Sequence, residues 1–290
     1  WLKFFSFFPS RAGLGAPSAE GIAGGGPGSS AMQRVGVIVR QVAPLAVSPC
    51  AADEAVVKEM APTGKLRVAI NMRNQMLVTG KTSSGDPEGL APSLAAAFAE
   101  RLGVPVEYVP YDDAAKLADE AAEDKWDVGM IGADPARAAH IEFTAPYCQI
   151  EATFAVPTTS GAQKCEQVDK PGITIATCAG AAYTLWLERN IKNAAVEKIE
   201  GHDATYEFFS DNGCQAVAGL RPKLKKDASK RPGTRILRDK FMAVEQAACT
   251  KKGRAQGFKA LSDFIEEAKK SGLVKEFMQK YKVDKDLTIP

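Results

Sequence analysis

Histidine is scarce in this chain: His140 and His202 stand alone among 290 residues. The six cysteines, Cys50, Cys148, Cys165, Cys178, Cys214 and Cys249, include no C-x-x-C pair. A zinc site needs thiolates and imidazoles at close spacing, so no metal is expected. The cysteine spacings are long and irregular, which excludes the dense disulfide framework of a small secreted domain. One or two bridges stay open, and Cys178 and Cys214, set in apolar runs, read as buried free thiols. No apolar run reaches the roughly 18 residues that a membrane-spanning helix requires. Neither sign of charge is in excess: 37 Lys and Arg face 35 Asp and Glu, a formal net charge of +2. A nucleic-acid binder needs a broad basic surface, and RPKLKKDASKR at 221–231 reads instead as a solvated helix face. No nucleic-acid partner is therefore expected.

Nucleotide motifs are missing too. GKT at 80–82 has Gln75 where a phosphate-binding loop needs glycine, and SSGDPEG follows it rather than a helix. The glycine-rich stretches at 13–15 and 23–28 follow no strand, so no dinucleotide fingerprint forms and no cofactor is implied. Neither histidine belongs to a G-x-S-x-G nucleophile motif. Each reads as a solvated or capping residue, and Asp112, Asp113, Glu120 and Glu123 read as surface charges.

What is present is an ordinary globular composition, 45% hydrophobic and 25% charged. The first Met is Met32, and residues 1–49 carry one acidic residue, Glu20, against Lys3, Arg11, Arg34 and Arg40. That composition reads as a transit-like leader or as sequence upstream of a start. LAVSPC at 45–50 resembles a lipoprotein cleavage box, but Pro49 before the cysteine argues against cleavage. Residues 1–61 are expected to be a disordered or leader-like extension.

From residue 62 onward the pattern is periodic. LRVAI, VPVEYVPY and WDVGMIG read as strands separated by helices, the first with Leu90, Leu94, Phe98 and Leu102 at helical spacing before Gly103. This β-α-β-α-β order implies parallel strands with helical crossovers. A second such run follows: ITIATC, AAYTLWLERN, VEKIEG, TYEFFSDN and QAVAGL. EATFAVP (151–157) and FMAVEQAA (241–248) connect the two runs. The tail carries two amphipathic helices, with Phe258, Leu261, Ile265 and Ala268 on one face and then Leu273, Phe277 and Tyr281 on the next. The fold class is α/β with two lobes, 62–153 plus 246–290 and 154–245, and a cleft at the carboxyl ends of parallel strands.

Arg137 falls just past the strand WDVGMI. Asp134 suits a helix N-cap, Pro135 suits the first helical position, and Arg137 then sits in the first turn, where free N–H groups already favour an anion. A guanidinium there makes a planar carboxylate receptor. A plain Asp134–Arg137 pair explains the same residues equally well.

The stretch ADPARAAHIEFTAPYCQIEATFAVP resembles the signature of the type II periplasmic solute-binding proteins, amino-acid-binding group (family 3). Members carry T-x-x-R, then an apolar-Phe-Ser/Thr-x-Pro-Tyr element, here Asp134-Pro-Ala-Arg137 and Ile141-Glu-Phe-Thr-Ala-Pro-Tyr147. LRVAIN, EGLAPSLAAAFAERLGV, ITIATCAGAAYTLWL and GFKALSDFIEEAKKSGLVKEFMQKY recur in family order, so the resemblance spans roughly 62–285. It implies a hinge of two crossing strands, capture of a small carboxylate-bearing ligand, an amino acid by default, and delivery to an ABC permease by a monomer outside the cytoplasm. No convincing signal peptide accompanies it, which keeps a cytoplasmic or organellar location open.

By the same resemblance Arg137 grips the ligand carboxylate. The N–H groups near Gly132 and Asp134, and Gly180, Ala181 and Tyr183 of the second lobe, complete the site, with Asn71 at the end of the first strand facing the cleft. Four positions depart from the family: Asp134 replaces Thr, Ala181 lacks the usual hydroxyl, and Leu220 and Ser93 stand where acidic residues usually do. An amine-free carboxylate is thus a second ligand class. A dehydratase of the cyclohexadienyl or arogenate type, using Asp134 or Glu151, and a sensing module are rival functions on the same fold.

Overall fold

A computed structural model describes residues 53–290. Expectations for residues 1–52, and for Cys50, lie outside the described residues. The chain runs through α1 (Glu54–Met60), β1 (Leu66–Asn71), the hairpin β2 (Gly80–Lys81) and β3 (Pro87–Glu88), α2 (Leu90–Leu102), β4 (Val106–Tyr111), α3 (Ala114–Asp119), β5 (Val128–Gly132) and β6 (Ile141–Phe143). It crosses on β7 (Cys148–Pro157). It continues through β8 (Thr174–Cys178), α4 (Ala182–Asn190), β9 (Ala195–Ile199), α5 (His202–Asp211), β10 (Ala216–Leu220), α6 (Arg221–Lys230) and β11 (Thr234–Ile236). It returns on β12 (Met242–Lys251) and ends in α7 (Ala255–Ser271) and α8 (Leu273–Lys280).

One sheet runs through both lobes in the order β4-β1-β5-β12-β7-β10-β8-β9, with β6 on β12 and β11 on β7. β4, β1 and β5 are parallel, as are β10, β8 and β9. Between the two parallel groups, β12 and β7 lie antiparallel, pairing Met242 with Ala152 through to Gln246 with Cys148. The two crossings are therefore neighbours, and they form the hinge.

The apolar runs have a direct cause. Side chains alternate across a strand, and here both faces are covered, so both must be apolar. Val68 and Ile70 of β1 pack with Leu90, Leu94 and Phe98 of α2 and with α7 and α8, while Ala69 points the other way, to Leu117 and Trp126. In the second lobe Ile175 and Ala216 pack with Leu187, and Ala176 and Val217 pack with Tyr206 and Phe209. Among the described residues no helix is long and apolar enough to cross a membrane. The five described cysteines are free and buried, so no bridge joins any of them.

One expectation is corrected. Residues 53–61 are not extension: Asp53 caps α1 by accepting from the Ala55 N–H at 3.0 Å, and Met60 is fully buried. α1 packs at Gly257 of α7, where Met60 leaves no room for a side chain, and Glu59 accepts from the Gly257 N–H at 2.7 Å. In α8 the deepest residues are Val274 and Met278, whereas Leu273, Phe277 and Tyr281 are only partly buried. Both rows have i, i+4 spacing and both pack against the first-lobe core.

Candidate functional site

A cavity of about 60 Å³ opens where the parallel strands of both lobes end. Asn71 reaches it from the end of β1, Asp112 and Asp113 from the end of β4, and Gly132 from the end of β5. Cys178 closes β8 beside it and Leu220 closes β10, while Val244 and Gln246 come from the returning strand β12. Such a junction outside the carboxyl ends of strands is where open α/β sheets bind ligands.

Arg137 lines the cavity and is 7% exposed. Its Nη1 donates to the Gly132 carbonyl at 2.6 Å and its Nη2 to the Gly180 carbonyl at 2.7 Å, so one guanidinium ties β5 to the loop before α4. Its Nε is buried and bonds to no protein acceptor. Burial lowers the pKa of the guanidinium, against the opposing pull of Asp134 and Asp113; an arginine starts so high that it stays charged.

The local geometry around Arg137 differs from the expected helix start. Arg137–Ala139 is a single 3-10 turn. Asp134 Oδ1 accepts from the Ala136 N–H at 2.9 Å, and the Asp134 carbonyl accepts from the N–H groups of Arg137 and Ala138. The Ala133 N–H donates to Glu245. A side-chain-to-backbone turn of this kind competes with a helix. The amides of Ala133, Arg137 and Ala138 are thus spent, and no helix dipole points at a ligand there. α4 does begin beside the cavity, at Ala182, and no side chain caps it. Its first turn supplies the free N–H groups that an anion needs.

Of the residues named from the sequence, Arg137, Gly132, Asn71, Gly180, Ala181 and Tyr183 all line the cavity. Asp134 does not. Its carboxylate is held by both terminal nitrogens of Arg189 on α4, at 3.1 and 2.7 Å. That ion pair joins the two lobes, and it replaces the Asp134–Arg137 pair that the spacing allowed. Glu151 also lies off the cavity, bonded to Arg221 at 2.7 Å and paired with Lys240. Burial pushes the Glu151 carboxyl up, but these two cations hold it below its ordinary value. Ser93 is bonded to the Tyr281 hydroxyl at 2.7 Å, within the first lobe.

Sequence reasoning missed Arg73, Asp112, Asp113, His202 and Gln246. Asp112 and Asp113 follow directly on β4, and the strand-end argument that picked out Asn71 and Arg137 applies to them equally. Asp113 caps α3 through Oδ1, which accepts from the Ala115 N–H at 2.7 Å. Its Oδ2 has no hydrogen-bond partner among the described residues. Gly180 has φ +70°, and a Cβ on it would lie 2.9 Å from Asp113 Oδ1, so a side chain at 180 would push the lobes apart. Across the cavity Tyr183 Oη lies 3.2 Å from His202 Nδ1. Burial and the neighbouring Lys223 and Arg73 lower the pKa of His202 and favour its neutral form. The charged lining is thus balanced, Arg73 and Arg137 against Asp112 and Asp113.

Residues 66–284 match the family model for bacterial extracellular solute-binding proteins, family 3. The match spans most of the chain, and the chain belongs to that family. Solved structures of similar fold include an ancestral amino-acid-binding protein, AncCDT-1, described as a precursor of cyclohexadienyl dehydratase (20% identity, 78% of this chain and 98% of that one, TM-score 0.64). Another is the amino acid ABC transporter substrate-binding protein AbpA of Streptococcus pneumoniae bound to L-arginine (19% identity, 78% and 98%, TM-score 0.64). A third is a solute receptor for L-cysteine of Neisseria gonorrhoeae (20% identity, 78% and 92%, TM-score 0.64). At these identities the likeness concerns the fold. A search of curated protein sequences found no match.

Proposed function

We propose that this family 3 solute-binding protein captures a free α-amino acid in the cavity between its lobes, outside the cytoplasm, and as a monomer hands it to an ABC permease. The observation that carries the reading is charge placement. A buried guanidinium with an unused Nε shares one small cavity with the open Oδ2 of Asp113. An amino acid is a zwitterion, and a cavity with two arginines and two aspartates matches it without a net charge. Arg137 and the first turn of α4 take the carboxylate in this reading. Asp113, with Asn71 beside it, takes the ammonium where Leu220 offers nothing polar. Asp113 in place of Leu220 or Asp134 makes the amine-free carboxylate the weaker alternative. The lobes divide near residues 153 and 245, where β7 and β12 exchange partners.

The protein is read as a binder because the two carboxylates best suited to elimination chemistry, Asp134 and Glu151, are both engaged by arginines away from the cavity. Turnover of prephenate or arogenate by the purified protein would reverse that reading.

A thermal-shift screen of unfolded-and-refolded protein across the amino acids and small amine-free carboxylates tests the proposal. Ligand at about 100 times Kd adds roughly 2.7 kcal/mol of stability, a readily seen shift. Stabilisation by an amino acid, and not by its deaminated analogue, is the expected outcome. Equal stabilisation by both, or by neither, would set the proposal aside.

A further inference from the structure

A second chamber, of about 40 Å³, lies beside the ligand cavity, and Arg73, Asn74, Tyr183, His202 and Leu220 line both. The far walls of the second chamber come from β10 and from α5 and α6, facing the loop at 74–76. We infer that this chamber receives the ligand's side chain and that the side chain it selects is aliphatic or a thioether. The inference rests on the reading of the cavity as an amino-acid site.

Most of the chamber's polar groups already have partners. Thr205 Oγ1 donates to the Gly201 carbonyl at 2.7 Å. Tyr206 Oη bonds Thr234 Oγ1 at 2.9 Å. Lys223 Nζ is held by Asp227 at 2.6 Å and Asp203 at 2.8 Å, and Lys226 Nζ donates to Gln75 Oε1 at 3.2 Å. These groups are spent on each other. Arg73 is the exception: it lines both chambers, and its guanidinium has no hydrogen-bond partner among the described residues. Beyond it, a charged or amide-bearing side chain would lose water and gain no new partner, which is unfavourable. The remaining wall, Met76, Val217, Ala218, Leu220 and Leu224, rewards apolar atoms. Size limits the choice further. A water-sized group needs roughly 10–15 Å³, so the chamber holds about three or four such groups. That is the scale of a leucine or methionine side chain, and it is too small for an indole. Met76 is the natural contact, because it comes from the first lobe and meets the second-lobe wall only when the cleft is closed.

Calorimetric titration of the refolded protein with leucine, methionine, alanine, arginine and glutamate decides the point, repeated with Met76→Ala. Leucine or methionine should bind at least about tenfold more tightly than alanine, arginine or glutamate. In M76A the leucine-over-alanine preference should fall by roughly threefold or more, a ratio that general damage to the fold does not move. If alanine or a charged amino acid binds as tightly as leucine, the inference is overturned and the amino-acid site stands. If no amino acid binds, both fall.

Discussion

At the residue scale the site turns on groups whose partners are incomplete. Asp113 combines a structural duty with a free oxygen: Oδ1 caps α3, and Oδ2 stays open beside Arg137. Asp113→Asn keeps the cap, since asparagine caps as well as aspartate, but removes the charge. It should weaken α-amino acid binding by about thirtyfold or more, the low end for a charge left unpaired on binding. Unchanged calorimetric affinity would remove Asp113 from the site. His202 gives a second prediction, in which the sign follows from burial. Its pKa is lowered in the folded protein, by burial first and then by Lys223 and Arg73, with Asp203 and Asp227 opposing. Below the ordinary histidine pKa of about 6.5 the unfolded chain takes up a proton that the folded chain resists, so this source of stability is lost as pH falls. The urea midpoint should drop between about pH 7.5 and about pH 5.5 and drop less in His202→Gln. An equal drop in both proteins would assign the effect to other groups. Much of this scale was legible. Arg137 and Asn71 are marked by standing at the ends of apolar runs, and Gly180 by the family resemblance. Asp112 and Asp113 stand there too, but acidic residues ahead of a helix look the same whether they face solvent or a second lobe. His202 carries no local signal, because its burial is tertiary.

At the element scale the strands were readable from apolar runs, because a sheet covered on both faces requires them. Short polar turns were not: Asp134-Pro135 satisfies every rule for a helix start and still forms a side-chain turn followed by one 3-10 turn. One element junction is held by charge. Asp127, fully buried ahead of β5, accepts from Arg67 Nε and Nη2, both at 2.9 Å, and from Arg254 Nη1 at 3.0 Å. It ties β1, β5 and the entry to α7 together, and its hydrogen bond raises the pKa of Arg67. Asp127→Ala leaves two largely buried arginines with only the exposed Asp124, 3.5–3.6 Å away, as counter-charge. It should cost about 3–5 kcal/mol of unfolding free energy. A loss under about 1 kcal/mol, measured by denaturant titration, would mean that water replaces the carboxylate at little cost.

At the scale of the whole molecule, two parallel-strand groups meet across an antiparallel pair, and closure brings their carboxyl ends together. Contacts that exist only between lobes set the balance between open and closed forms. Two such contacts are the Arg189–Asp134 ion pair and the bond from Arg137 to the Gly180 carbonyl. Arg189→Ala should shift the unliganded protein toward the open form, seen as a larger radius of gyration in small-angle scattering, and should weaken ligand binding several-fold. An unchanged radius and affinity would show that the pair contributes nothing to closure. The two-lobe plan was legible because the strand–helix pattern repeats and two strands bridge the repeats. Cross-lobe partners such as Asp134 and Arg189 were not, since they are 55 positions apart in the chain and meet only through closure.

The most direct test of the central claim is calorimetric titration of the tightest-binding amino acid into the refolded protein and into Arg137→Ala, with Arg137→Lys and circular dichroism as controls for the fold. A charge-assisted hydrogen bond to a carboxylate contributes roughly 1.5–3 kcal/mol. Arg137→Ala, correctly folded, should therefore bind at least about tenfold more weakly, and Arg137→Lys should recover part of the loss. Wild-type affinity in folded Arg137→Ala would contradict the claim that this arginine holds the ligand.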